Sequence, residues 1–272
     1  MLSEIHPSLL YLWDKRTLYI GPLFEPLDLS QGAATLVLAL DKPISFLEKG
    51  QSKSIECRSL LLPAGLSVAI DTQDAIVANC NLDALGADFS ALSDRMQCRQ
   101  GKVAWQLNNE PDVIVRLMEM YANQMSSQAA YELLDQVLSP KLESEYAVDQ
   151  RVVNVINLIK QTIDSNLSVE DLATEVNLSV PRLVQLFKQQ TGIPIRRYRL
   201  WHRLYVTSVK MGQGYNLTDA AIAAGFTDSS HCSHTFRSML GLKPSLILSQ
   251  PNKIRIITPH VPHILNNVGA LV

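Results

Sequence analysis

A repeat near the C-terminal end restricts this chain more than any other feature. Ala173, Leu178 and Ser179 recur 48 positions later as Ala221, Phe226 and Thr227. Leu183, Phe187, Lys188 and Gly192 recur 49 positions later as Cys232, Phe236, Arg237 and Gly241, so one residue is inserted before the second Phe. Two copies of one supersecondary unit are therefore expected. In the first copy, Ser168 with Asp171 three residues on has the capping-box pattern. Leu172, Ala173 and Val176 supply a buried face, and Asn177 tolerates the left-handed backbone of a tight turn. Ser179 is placed to cap the following helix, and Pro181 falls in its first turn, where a missing N–H costs nothing. Leu183, Leu186 and Phe187 form the inner face of that helix, and Gly192 stops it. Helix, short turn, helix is the resulting unit.

The stretch 195–211 between the copies is helical in pattern, with Tyr198, Trp201, Leu204 or Tyr205, and Val209 on one side. A rigid connector of that length fixes the separation of the two units. Two reading helices on one rigid body can enter successive major grooves, which lie ~34 Å apart. Upstream, Val152, Ile156, Ile159 and Ile163 form a further helical stripe. The first hundred residues instead read as strands, over 18–23, 35–40, 44–47, 55–62, 67–70 and 75–81. Gly21-Pro22, Asp41-Lys42-Pro43, Lys49-Gly50, Pro63-Ala64-Gly65 and Asp71-Thr72 punctuate them, as in a small sandwich or barrel. Helical patterns follow at 111–123, with Ile114, Leu117, Met118 and Tyr121 on one face, and at 127–137, with Ala130, Leu133, Leu134 and Val137. Ser139-Pro140 ends the second.

The expected fold class is α+β: an N-terminal β-barrel or jelly-roll-like domain with helices, then an all-α domain of two helix-turn-helix units joined by a linker helix. The expected divisions are 1–138, a linker at 139–149, the paired units at 150–250, and an extension at 251–272. The extension carries Ile254, Ile256 and Ile257, to which the pattern assigns no role. The stripes of 111–123 and 127–137 exceed what covering one small barrel requires, so they are expected to make a homodimer.

Charge divides along the same line. Residues 1–149 hold 11 Lys+Arg and 20 Asp+Glu, a net −9, whereas 150–250 hold 11 and 6, a net +5. The basic part is the one suited to nucleic acid. No apolar run approaches the ~20 residues of a membrane helix. Leu9–Leu12 lies between Glu4 and Asp14-Lys15-Arg16, unlike a secretion signal, so a cytoplasmic protein is expected. Cys57, Cys80, Cys98 and Cys232 show no paired spacing and read as reduced thiols. His6 is the only histidine before residue 202, which excludes a barrel metal site of several histidines. A phosphate loop, a Gly-x-Ser-x-Gly elbow and a His-Glu-x-x-His helix are all missing. Neither enzymatic activity nor a cofactor or metal is expected.

Residues 150–250 resemble the DNA-binding domain of the AraC family. The resemblance rests on Leu172-Ala173, Ser179, Leu183, Phe187-Lys188, Gly192, Tyr198, Arg203-Leu204, Gly225-Phe226, Asp228, Ser230-His231, Phe236-Arg237, Gly241 and Pro244-Ser245. Residues 1–149 resemble the family only in layout. The resemblance implies base reading by Pro181, Val184 and Gln185 in the first unit, and by Ser229, Ser230, His231 and His234 in the second. Gln185 and His234 are equivalent, and both depart from the arginine the family usually carries there. Glutamine can bond adenine N6 and N7, and histidine can donate to guanine. The resemblance places phosphate contacts at Arg182, Lys188, Arg196, Arg197, Thr218, Arg237 and Lys243. Arg203 suits an internal ion pair as well as DNA, and Cys232 suits the core. By family analogy the protein is expected to act as an activator with RNA polymerase as partner, and to sense a small-molecule effector through a ligand site the residues do not reveal. The alternative is a dimeric DNA-binding regulator whose N-terminal domain binds no ligand.

Overall fold

Several strands here are buried at every position and almost wholly apolar, which suits a strand covered on both faces. The computed structural model describes residues 6–23, 27–30, 33–48, 53–83, 85, 87–138, 148–163, 167–240 and 254–259. The N-terminal strands are β1 Ser8–Leu12, β2 Thr17–Pro22, β3 Leu27–Ser30, β4 Thr35–Ala39, β5 Ile44–Glu48, β6 Ile55–Cys57, β7 Ser59–Leu62, β8 Ser67–Asp71, β9 Ile76–Asn81, β10 Met96–Gln100 and β11 Val103–Leu107; β12 is Ile254–Ile257. They form an eight-stranded sheet, β10-β11-β7-β4-β9-β2-β1-β12, and a four-stranded sheet, β3-β8-β5-β6. This is a jelly-roll-like pair of sheets.

The two-residue period sorts the side chains. Leu10, Leu12, Val37, Leu60, Leu62 and Val77 face Phe46, Val68 and Ile70 between the sheets. Leu9, Tyr11, Leu36, Leu38, Leu61 and Cys80 face the other way, where helices α1 Ala87–Ser93, α2 Glu110–Ala122 and α3 Ser127–Leu138 cover them. A buried ion pair pins this helical layer. Arg16 donates to both Asp88 oxygens at 2.6 and 2.7 Å and to Asp135 at 2.8 Å, with Tyr131 stacked 5.3 Å from its guanidinium carbon.

The helical layer bears on one expectation. Ile114, Leu117, Met120, Tyr121, Ala130, Leu134 and Val137 are all buried against the sheet of their own chain. Most of each stripe covers a broad sheet of the same chain, with Met118 and Leu133 half-buried at its margin.

The C-terminal helices are α4 Gln150–Gln161, α5 Val169–Glu175, α6 Val180–Thr191, α7 Ile195–Gly212, α8 Leu217–Ala223 and α9 Ser229–Leu240. Ser168 and Asp171 make the expected capping box at α5. Asn177 takes φ 54° in the turn, and Gly192 ends α6 at φ 75°. Ser179 stands at the N-cap of α6 without a side-chain cap bond. Along α7 the buried face also holds His202, Thr207 and Ser208. The two hydroxyls donate to the carbonyls four residues back, at 2.8 Å each, which makes them compatible with burial.

The first unit has its own core of α4, α5 and α6 residues with Ile195 and Tyr198, and Ala64 and Leu85 of the N-terminal part lie at its edge. The second unit has no separate core. Leu204, Met211, Phe226, Cys232, Phe236 and Met239 continue the apolar interior of the two sheets. Lys160 of α4 also meets Asp14, in the β1–β2 turn, at 2.6 Å.

Candidate nucleic-acid interface

Each unit exposes one face of its second helix, because the opposite face carries the apolar residues. In α6, burial of Leu183, Leu186 and Phe187 turns Pro181, Arg182, Val184, Gln185 and Lys188 to solvent. Val184 is 41% exposed, unusual for a large apolar side chain and suited to meeting a thymine methyl. In α9, burial of Cys232, Phe236 and Met239 turns Ser230, His231, His234 and Arg237 outward, with Ser229 half-buried beside them. Gln185 and His234 therefore occupy the same place on two exposed faces. Lys188 and Arg237 follow one turn on, directly after a buried phenylalanine in each case.

Local hydrogen bonds orient these residues. Arg182 Nη1 donates to Gln185 Oε1 at 3.0 Å, so the carboxamide is held from its oxygen end. An i, i+3 pair on one helix face is the signal in the sequence that could have revealed this bond. Asp228 caps α9 by accepting from the His231 N–H at 2.7 Å, and Thr227 Oγ1 donates to its other oxygen at 3.1 Å. These bonds, the backbone one first, hold its carboxyl below the usual carboxylate range. The His231 ring packs edge-on against Phe226, with centroids 5.5 Å apart.

The phosphate candidates separate into groups. Arg196 and Arg197, at the start of α7, share an open groove of about 420 Å³ with His231, His234, Leu200 and Met239. The structure thus brings the expected phosphate anchors of the linker helix beside the expected readers of the second unit, which the linear sequence did not show. Arg196 is exposed, whereas Arg197 is half-buried and burial lowers its pKa. Thr218 is exposed in the first turn of α8, but Asn216 Oδ1 already accepts from the Asp219 N–H at 2.9 Å. The Asp219 carboxylate in that turn opposes an approaching phosphate. Lys243 lies outside the described residues. Arg203 faces inward, its Nε 3.2 Å from where a side chain on Gly225 would begin. Cys232 is fully buried, and burial pushes its thiol up to about 11, so it is packing material.

Two helix-turn-helix units, each with one face of its second helix exposed, stand on one helical body beside a jelly-roll-like domain. A family model described as a helix-turn-helix domain matches residues 172–250. Among curated proteins, the chain is 27% identical over 142 residues to a probable transcriptional regulator, LumQ, of Photobacterium leiognathi, covering 48% of this chain and 57% of that one. It is 33% identical over 95 residues to the transcriptional activator RhrA of Rhizobium meliloti, covering 32% of this chain and 30% of that one. The chain thus spans about half or less of these relatives. Among solved structures, apo ToxT from Vibrio cholerae superposes with TM-score 0.58 at 15% identity, over 88% of this chain and 98% of that one. ToxT bound to an unsaturated fatty acid gives 0.53 at 14%, over 87% and 96%. At these identities the likeness is one of fold, and it extends over both domains. Residues 172–250 thus match a helix-turn-helix family, and the chain as a whole shares the fold of ToxT.

Among the described residues no helix is long and apolar enough to cross a membrane.

Proposed function

We propose that this protein is a sequence-specific transcription regulator of the cytoplasm, an activator that recruits RNA polymerase and has no catalytic chemistry of its own. One observation carries the reading: Gln185 and His234 stand at equivalent points on two exposed helix faces, each followed one turn later by a cation. Hydrogen-bonding side chains at the reading position with a positive charge beside them suit base edges flanked by phosphate. Control by a small-molecule effector is the finer part of the proposal. Its support is the fold shared with a ToxT structure holding a fatty acid, together with Asn79 of β9. Asn79 is 4% exposed on the face that lies between the sheets, and its Oδ1 has no hydrogen-bond partner among the described residues. The protein acts as a homodimer whose interface lies outside the buried stripes. Val115, 57% exposed on the outer face of α2, is open to such a contact.

The test is a binding series on operator variants selected from a random duplex library. Gln185→Ala and His234→Ala should each lose ~1–3 kcal/mol on the preferred base and relax preference at one position. Lys188→Ala and Arg237→Ala should weaken every sequence alike and lower the salt slope by about one. Even losses across all variants for the first pair would refute the assignment of readers.

A further inference from the structure

Strand β12, in the C-terminal extension that the sequence pattern left without a role, pairs with β1. Strand β12 lies parallel to β1 in unbroken register, from Ser8 opposite Ile254 to Tyr11 opposite Ile257. It becomes the edge of the eight-stranded sheet. Both of its faces are used. Ile254 and Ile256 pack on the apolar interior shared by the sheets and the second helix-turn-helix unit. Ile257 packs on the opposite core, beneath α2 and α3. Arg255 Nη1 donates to Gln124 Oε1, between those helices, at 2.9 Å.

The same strand touches the linker helix. A Cβ placed on Gly212, the last residue of α7, would come 3.1 Å from Ile256 Cγ2. The reading faces of α6 and α9 remain exposed in this arrangement, so the strand does not cover them. Its position is that of a tie rather than a plug. It joins the far end of the linker helix to β1.

We propose that β12 is a strap that couples the second helix-turn-helix unit to the N-terminal sheet, so that DNA at the reading helices and events in the sheet are linked. The DNA half of this inference rests on the proposed function; the mechanical half does not. Without the strap, β1 has an open edge, and the second unit keeps only its side-chain packing on the barrel. With it, the two domains unfold as one body, because a ladder of backbone bonds crosses between them.

Hydrogen exchange on the full-length chain tests the coupling, alongside Ile254→Asp/Ile256→Asp and a chain ending at residue 252 in case the double variant does not fold. In either variant, exchange at residues 8–12 and 205–212 should rise about tenfold or more while β4 and β9 keep their protection. The parent should unfold in one thermal transition and the variants in two. A random-sequence duplex at low salt should change exchange at residues 8–12 in the parent and leave it unchanged in the variants. Unaltered exchange at 8–12 with one transition retained in the variants would overturn the strap. So would a DNA-bound parent whose 8–12 segment exchanges as in the free protein. Failure of parent and variants alike to bind the duplex would overturn the DNA-binding reading instead, and the unfolding comparison would still decide the strap.

Discussion

The turns of the two helix-turn-helix units invite one experiment in depth. Asn177 and Gly225 are equivalent in the 48-residue repeat, and both have left-handed backbone, at φ 54° and 82°. Conformation alone would let asparagine serve in both places. Space would not. A Cβ built on Gly225 comes 2.9 Å from the Ile163 carbonyl oxygen, just beyond α4, and 3.2 Å from Arg203 Nε. The carbonyl belongs to backbone and cannot swing away. Gly225→Ala should therefore lose ~1–2 kcal/mol to the left-handed conformation and a further ~1–3 kcal/mol to overpacking. Gly225→Asn keeps much of the conformational tolerance and should suffer mainly the second loss. Asn177→Ala should cost about 1 kcal/mol at most, and Asn177→Gly should lie within about 0.5 kcal/mol of the parent. Urea unfolding, with midpoints compared at constant m, measures all four. The reasoning fails if Gly225→Asn matches the parent, or if Gly225→Ala is no worse than Asn177→Ala.

Two further perturbations probe buried polar groups. Burial pushes the His202 imidazole down to about 4, against a partial counter-effect from Asp14, with Lys160 adding to the lowering. An unfolded histidine takes its proton near ~6.5, so the stability due to neutral His202 is complete above that pH and declines as pH falls toward 4, by up to about 3 kcal/mol. His202→Phe should flatten the urea-midpoint profile across that window; parallel profiles for the two proteins would refute the assignment. Arg16→Met should cost ~3–5 kcal/mol, since it leaves Asp88, 3% exposed, charged and unpaired. Adding Asp88→Leu should recover most of that loss in the same assay, and an additive double variant would contradict the pairing.

The C-terminal units were readable because their constraints are local. The capping box, the left-handed Asn177 and the glycine stop each concern neighbours a few residues apart, and the repeat states them twice. The N-terminal domain was readable only as a class. Strand β1 looked like a bare apolar run, since Leu9–Leu12 is buried on both faces and shows no alternation. The β10–β11 hairpin has the opposite problem: Gln97, Arg99 and Gln106 make it look like loop, because β10 is a half-exposed edge. The surplus of apolar residues in α2 and α3 was visible, but its use was not. How much sheet a helix must cover depends on strand order, and strand order is a long-range property. The same limit hid the groove that sets Arg196 and Arg197 beside His231 and His234, residues some 35 positions apart that only the packing of α7 on α9 brings together.

The pairing of β1 with β12 also has a consequence for biosynthesis. Strand β1 leaves the ribosome long before its partner β12, with 241 residues between Leu12 and Ile254 still to be made. At translation rates of ~5–20 residues per second, that edge stands open for roughly 12–50 s in every nascent chain. An unpaired edge flanked by Leu9, Leu10, Tyr11 and Leu12 is a template for any neighbouring strand, including the same segment emerging from the next ribosome on the message. A translating polysome is thus where this protein is most exposed to misassembly, and a chain cut short before residue 254 keeps that exposure for its whole life.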